Sequence, residues 1–162
     1  MNAHIQYAGP DQERLNVRQS SPELFGAYAR LEQAVHQAVD PTLYELIKIR
    51  SSQLNGCAFC LDMHSKDARS QGETEQRLYL LSAWREAPIY TRQECAALAL
   101  TEAVTRIADA HVPDDVWEEA ALAFTQQELA AVLMAIVTIN GWNRIAITSR
   151  TPTGHHQPSS AG

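Results

Sequence analysis

The chain has 162 residues, which is within the usual range for one domain, and 45% of them are hydrophobic, enough to form a core. Its formal charge of -6 removes the electrostatic attraction on which non-specific nucleic-acid binding depends, and no basic patch offsets it. These properties predict one compact domain and exclude a nucleic-acid partner.

The sequence favours a cytoplasmic protein without a membrane partner. Its first residues lack the basic stretch followed by an apolar stretch that is typical of a secretory signal. The longest apolar run, residues 129–139, is shorter than the ~20 residues that a bilayer-spanning helix requires. Because cytoplasmic thiols are kept reduced, a close cysteine pair is more often catalytic or metal-binding than a permanent disulfide.

Helix signals begin after an N-terminal arm, residues 1–19. Ser20 and Glu23 have the spacing of a capping box, and a proline is tolerated between them in the first turn. The first helix is therefore predicted to run from Ser20 to about Val39.

Two further helices are predicted before residue 73. Asp40 and Pro41 combine an N-cap with a proline at the first helical position, and they start the second helix. Asn55 and Gly56 end that helix, and a third helix, which carries two cysteines, ends near Gly72.

The second half of the chain has similar helix-start and helix-break signals. A fourth helix is predicted over Thr74–Trp84, with Pro88 as a break after it. The segments Thr91–Glu94 and Thr125–Glu128 are capping boxes, each followed by a long apolar-periodic run, and a short helix lies between these runs. The prediction is an all-α domain of about seven helices over residues 20–148.

The last residues, 149–162, are predicted to be a flexible C-terminal tail. They are rich in Pro, Ser and Gly and poor in apolar residues. The pair His155 and His156 could bind a metal weakly, but the composition favours an ordinary tail, and no role is assigned to it.

The stretch "NGCAFCLDMH" is the main candidate for chemistry. On a helix, Cys57, Cys60 and His64 fall within an arc of about 60°, so all three can meet one reactant. Cys57 is expected in the first turn, where the positive end of the helix dipole favours the thiolate.

Two other roles for the thiols stay open. A structural zinc site ordinarily needs four ligands, and Cys95 or His111 would have to complete a set that has one CxxC motif and one histidine. The pair could also be inert core, which is the default role for Cys95. By itself, Glu45 would be interpreted as a solvated helix carboxylate near Lys48.

A longer pattern changes this assessment. Glu45 precedes the cysteines in the arrangement E-x(11)-C-x(2)-C-x(3)-H. This pattern resembles the signature of the AhpD-like alkylhydroperoxidases, which lie within the carboxymuconolactone decarboxylase superfamily. The resemblance extends over about residues 20–148, where "SAWREAP" and "INGWNRIAI" are also similar.

The resemblance implies a thiol-dependent peroxidase whose CxxC motif cycles between dithiol and disulfide without a cofactor. Cys60 matches the cysteine that attacks the peroxide, although the helix dipole alone favours Cys57 as the more acidic thiol. Cys57 matches the partner that closes the disulfide, and Glu45 and His64 match a proton relay. Phe59 stands where some members have a histidine, so that extra base is lost.

The implied partners are a hydroperoxide substrate and a thiol electron donor, either a lipoyl protein or a thioredoxin-like protein. The resemblance also implies a trimer or hexamer, which agrees with the need to cover the apolar helix at 129–139. Two alternatives remain: a reductase of lipoyl or protein disulfides, and a metal-binding or structural helical oligomer. The decarboxylase activity is not carried over, because the decarboxylases proper lack the cysteine pair.

Overall fold

The computed structural model describes residues 12–158, and this part of the chain is helical without a β-strand. It has nine α-helices and one 3-10 segment, Leu81–Glu86. The α-helices are α1 (Val17–Ser20), α2 (Pro22–Ala38), α3 (Pro41–Asn55), α4 (Ala58–Ser70), α5 (Glu75–Leu80), α6 (Arg92–Thr105), α7 (Ile107–Ala110), α8 (Asp114–Ala123) and α9 (Gln126–Ser149). The all-α class is confirmed.

The number of helices is higher than the predicted seven. The additional helices α1 and α7 have four residues each, about one turn, which is too short to leave a periodic apolar pattern.

The predicted ends of α3 are confirmed. Asp40 caps α3, because its Oδ1 accepts a hydrogen bond of 3.0 Å from the backbone N–H of Leu43. Gly56 ends α3 with φ 69° and ψ 36°, a left-handed conformation that glycine adopts without steric cost.

Both later capping boxes are also confirmed. In α6 the Thr91 side chain accepts from the backbone of Glu94, whose carboxylate accepts in return from the Thr91 backbone. Thr125 and Glu128 repeat this arrangement at the start of α9.

Two predicted boundaries were wrong. Ser20 does not cap the first long helix: it is the last residue of α1, and Ser21 precedes α2 without a side-chain capping bond. The helix predicted over Thr74–Trp84 stops being α-helical at Leu80 and continues as the 3-10 segment, with a kink at Ala83 (φ −118°, ψ 28°).

Helix α3 is the centre of the fold and contacts α4, α6 and α9. It is buried along most of its length, including its polar residues Glu45, Lys48, Ser51 and Ser52. One apolar cluster joins α3 to α2, α6, α8 and α9, and a second joins α3 to α4, α6 and the 3-10 segment. A third, smaller cluster contains Cys57 and Cys60. The candidate site therefore lies at the packed junction of α3, α4 and α9.

Helix α9 is long and apolar enough to cross a membrane by length and composition alone. It also carries the fully buried polar side chains of Thr138 and Asn143, which bond to residues of α3. These contacts place one face of α9 in the core of the fold.

The two ends of the described chain lie together. The backbone N–H of Arg14 donates to the carbonyl of Ser149, with an N–O distance of 2.8 Å. The residues after α9 contact α4: the Gly154 N–H donates to Asp62 Oδ2 at 3.1 Å, and Lys66 Nζ donates to the His156 carbonyl at 3.2 Å. The tail thus has hydrogen-bond partners as far as His156, although its composition favoured a flexible segment.

Candidate active site

The two thiols lie where α3 turns into α4. Gly56 reverses the chain, Cys57 becomes the N-cap residue of α4, and Cys60 follows in the first turn. Both side chains are 1% exposed and neither forms a disulfide. Cys57 was expected in the first turn of this helix and lies one residue before it. Its predicted position at the positive end of the helix dipole is therefore confirmed.

The two cysteines differ in acidity. The hydrogen bond from the Cys60 thiol lowers the pKa of Cys57 to about 7, assisted by backbone N–H groups of α4. The same bond and burial raise the pKa of Cys60, because its proton is held between the two sulfurs. The pair therefore gives up one proton near neutral pH and shares the remaining one.

Two side chains outside the sequence pattern favour the anionic pair. A hydrogen bond from Asn143 of α9 lowers the pKa of both cysteines, and the positive charge of Lys48 acts on Cys60 in the same direction. Asn143 is itself fixed by Ser52 Oγ, which accepts at 3.0 Å, and by Asn55, which donates to Asn143 Oδ1 at 2.8 Å.

The two residues predicted to form a proton relay, Glu45 and His64, are in contact. His64 Nδ1 lies 2.9 Å from Glu45 Oε2, and both side chains are buried. This geometry lets the carboxylate orient the imidazole and accept its proton. The interpretation of Glu45 as a solvated carboxylate near Lys48 was wrong, since Glu45 and Lys48 are both buried and have different partners.

A second polar network was missed by sequence reasoning. The Glu32 carboxylate accepts hydrogen bonds from Lys48, Tyr44 and Trp142, the last with an Nε1–Oε2 distance of 2.8 Å. Lys48 is completely buried and also donates to Thr138 Oγ1 at 3.0 Å. Burial lowers the pKa of Lys48, while the Glu32 charge opposes that shift. The only sign of this network in the sequence was Lys48, which lies within an otherwise apolar stretch of α3.

A cavity of about 870 Å³ opens onto these groups. Cys60, Glu45 and His64 line it, whereas Cys57 does not. Its other walls are largely apolar and include Phe25, Ala29, Phe59, Met63, Trp142 and Ile145. A volume of this size accommodates an organic molecule of moderate size.

The tail forms part of the wall. His156 lines the cavity, and its Nε2 lies 2.6 Å from Asp67 Oδ1 on α4. Asp67 also belongs to a group with Glu45 and His64 in which one ligand atom from each residue lies within 4.8 Å of the others. This is the set of described residues whose chemistry and spacing suit a metal ion.

The zinc set considered from the sequence is not assembled. Among the described residues, neither Cys95 nor His111 lies in a metal-type group with the CxxC pair. Cys95 is half-buried against the second apolar cluster, and burial raises its pKa. His111 is exposed and ends α7.

Comparison with known proteins identifies the family. The sequence model of the carboxymuconolactone decarboxylase family matches residues 22–103, about half of the chain, and this match includes both cysteines, Glu45 and His64. The chain therefore belongs to the carboxymuconolactone decarboxylase family and to its AhpD-like branch.

Two known proteins are each 42% identical to this chain. The uncharacterized protein YdfG of Bacillus subtilis is 42% identical over 136 residues, which are 83% of this chain and 92% of YdfG. The crystal structure of ATU0492 from Agrobacterium tumefaciens has a TM-score of 0.86 and 42% identity, and the similarity covers 90% of this chain and all of that chain. ATU0492 is a protein of unknown function considered a candidate AhpD antioxidant defence protein.

The debrominase Bmp8 is similar in structure, with a TM-score of 0.76, 19% identity, and coverage of 85% of this chain and 74% of that chain. At this identity the similarity shows the fold alone. Proteins that share this fold therefore include a peroxidase-related protein and a debrominase.

Proposed function

We propose that this protein is a thiol-dependent peroxidase that reduces organic hydroperoxides through a dithiol/disulfide cycle of Cys57 and Cys60. The observation that carries the proposal is the placement of Cys60. It lies on the wall of a large apolar cavity, beside an acidic partner thiol and a Glu45–His64 pair.

The lowered pKa of Cys57 is compatible with Cys60 as the cysteine that attacks the peroxide. In the resting pair, Cys57 holds the negative charge and Cys60 holds the proton. Transfer of this proton to Cys57 makes Cys60 the thiolate, and the nearby charge of Lys48 favours that form. Cys57 thereby acts as the base for the cysteine that faces the substrate.

Two chemical steps follow. The Cys60 thiolate attacks the terminal oxygen of the hydroperoxide, the O–O bond breaks, and the alcohol leaves with a proton supplied through His64 or Cys57. The resulting sulfenic acid on Cys60 then reacts with Cys57, which gives the disulfide and one water. A dithiol donor returns two electrons and two protons to restore the pair.

The donor and the compartment are part of the proposal. A lipoyl protein or thioredoxin-like protein would reduce the disulfide, and a reducing cytoplasm would sustain the cycle. The assembly would be a trimer or hexamer. The alternative, a reductase of lipoyl or protein disulfides, uses the same thiol pair without peroxide.

A turnover assay tests the proposal. Purified protein would be given hydrogen peroxide, cumene hydroperoxide and tert-butyl hydroperoxide, each with dihydrolipoamide, thioredoxin or glutathione as donor. Cys60→Ser should abolish peroxide consumption. Cys57→Ser should permit one oxidation to a sulfenic acid that dimedone traps on Cys60. Activity retained in Cys60→Ser, with the sulfenic acid on Cys57, would reverse the assignment.

The relay is tested in the same assay. Glu45→Gln and His64→Gln should each slow the first oxidation, by up to the ~10²- to 10⁴-fold typical of general acid–base catalysis. The double variant should be little slower than the slower single variant, because either loss interrupts the relay. Turnover of a disulfide substrate without peroxide consumption would favour the reductase alternative.

A further inference from the structure

We propose that Glu45, His64 and Asp67 form a binding site for one divalent transition-metal ion of the zinc class, with His156 fixing Asp67 from outside. One ligand atom of each of the three residues lies within 4.8 Å of the others. The site faces the cavity, so water or a small ligand could complete the coordination.

The spacing within the cluster suits a metal ion. Two ligand atoms at about 2.1 Å from a tetrahedral zinc ion stand about 3.4 Å apart, and Glu45 Oε2 and His64 Nδ1 are 2.9 Å apart, so a shift of about 0.5 Å would seat the ion between them. Asp67 follows His64 by three residues on α4, so the two side chains share a helix face.

Charge favours a cation at this point. Glu45 and His64 are 4% and 6% exposed, and two carboxylates beside an apolar cavity are costly unless they are paired. Each carboxylate has a histidine ring nitrogen beside it, His64 for Glu45 and His156 for Asp67. A neutral imidazole leaves the carboxylate charge in place, whereas one divalent ion balances both carboxylates.

The tail supplies a supporting contact. The His156 ring nitrogen lies 2.6 Å from Asp67 Oδ1, so this bond orients the carboxylate, as outer hydrogen bonds orient ligands in metal sites. One imidazole and two carboxylates suit Zn²⁺, Fe²⁺ or Mn²⁺, and the usual affinity order places Zn²⁺ above the other two. Zinc is therefore the probe.

Binding would have a functional consequence. An ion held by Glu45 and His64 would occupy both members of the relay, so peroxide turnover would fall as the site fills. This consequence rests on the proposed peroxidase function, whereas metal binding itself does not.

Calorimetry with zinc chloride tests the binding. Full-length, untagged Cys57→Ser/Cys60→Ser protein removes the two site thiols as zinc ligands, and it should bind one zinc ion per chain at micromolar zinc. Adding Asp67→Asn should weaken zinc binding about tenfold or more. Adding His156→Gln should weaken it about tenfold, because a metal ligand that loses its outer hydrogen-bond partner typically loses that much affinity. Asp115→Asn, an exposed carboxylate on α8, should leave the affinity unchanged.

Cobalt substitution checks the ligand types. Cobalt in the Cys57→Ser/Cys60→Ser protein should show visible d–d bands without a thiolate charge-transfer band, and Asp67→Asn should reduce these bands. The proposal is overturned if the Cys57→Ser/Cys60→Ser protein binds no zinc, or if Asp67→Asn and its parent bind zinc equally. If circular dichroism shows that Asp67→Asn does not fold, the zinc affinity of His156→Gln is compared with that of its parent instead. Equal affinities would then overturn the proposal.

An activity measurement separates the two proposals. Zinc should inhibit the wild-type peroxidase at concentrations where Asp67→Asn, normalised to its own zinc-free rate, is unaffected. Equal inhibition of both proteins would contradict control through this site. Asp67-dependent zinc binding in a protein without peroxidase activity would reject the proposed function and leave the metal site standing.

Discussion

Two cysteines only three residues apart have opposite pKa shifts because their surroundings differ. Cys57 receives hydrogen bonds at the start of α4, whereas Cys60 donates a hydrogen bond to Cys57 and lies at the cavity wall. Position along the chain therefore determines which thiol is acidic, and position relative to the cavity determines which thiol meets a substrate.

The pKa of Cys57 predicts a pH dependence. Because this pKa is lowered from about 9 to about 7, the anionic pair is present above pH 7 and is lost as the pH falls through that value. Oxidation of the pair by excess cumene hydroperoxide, followed by stopped-flow fluorescence, should therefore accelerate from pH 6 to 8 with a midpoint near 7.

Cys95 provides an internal control. Burial raises its pKa, so its alkylation by iodoacetamide, followed by mass spectrometry, should rise only at a more alkaline pH. A midpoint for the pair as alkaline as that of Cys95 would contradict the prediction.

The sequence was informative for residues in a contiguous pattern. The helical spacing of Cys57, Cys60 and His64 made their meeting predictable, whereas Glu45, on the preceding helix, was assigned through the family resemblance. The Glu32 network was not predictable, because the Trp142 that bonds to Glu32 is 110 residues away. Lys48 was missed because lysines are rarely fully buried unless they are paired.

At the scale of elements, prediction succeeded where a local chemical signal marks a helix end. Asp40, Gly56, Thr91 and Thr125 act through bonds to residues at most four positions away, so the sequence contains the whole signal. The shift to 3-10 geometry after Leu80 has no such signal. Leu81 and Trp84 are buried in the second apolar cluster, so tertiary packing determines that geometry.

The contact between α2 and α9 gives a prediction at this scale. A Cβ atom on Gly141 would lie 1.9 Å from the Tyr28 hydroxyl, which donates to the Thr138 carbonyl at 2.8 Å. Gly141→Ala must displace Tyr28 and should lower the free energy of unfolding by about 1 to 3 kcal/mol. Urea denaturation followed by circular dichroism measures the loss.

Gly26 is the matched control. It also lies inside a helix, and an added Cβ would meet only the Arg30 guanidinium at an ordinary 3.5 Å. Gly26→Ala should stabilise the protein by up to about 1 kcal/mol, because alanine has the higher helix propensity. Equal effects of the two substitutions would refute the steric explanation.

At the scale of the whole molecule, α9 is both core and surface. Leu129, Val132 and Ile136 are buried, whereas Met134 and Val137 on the same helix are 37% and 46% exposed. Exposed apolar side chains on a central helix are typical of a subunit contact, and they agree with the oligomer that we propose.

Light scattering should accordingly give a mass that is a multiple of the 18.0 kDa chain at micromolar concentration. The double variant Met134→Glu/Val137→Glu should shift the mass towards that of one chain, because charges at a subunit contact are costly to bury. Its helical content should stay unchanged. Wild-type protein with the mass of one chain would rule out the oligomer.

The position of the cavity walls along the chain has an evolutionary consequence. The family match at residues 22–103 contains the thiols and the relay, but Leu15, Val17, Trp142, Ile145 and His156 line the cavity from outside that range. Part of the cavity surface that selects a ligand is thus encoded outside the stretch that contains the reactive groups. Substitutions near either terminus could change which ligand binds while the thiols and the relay stay unchanged. Proteins with the same thiol centre could thereby evolve to accept different substrates.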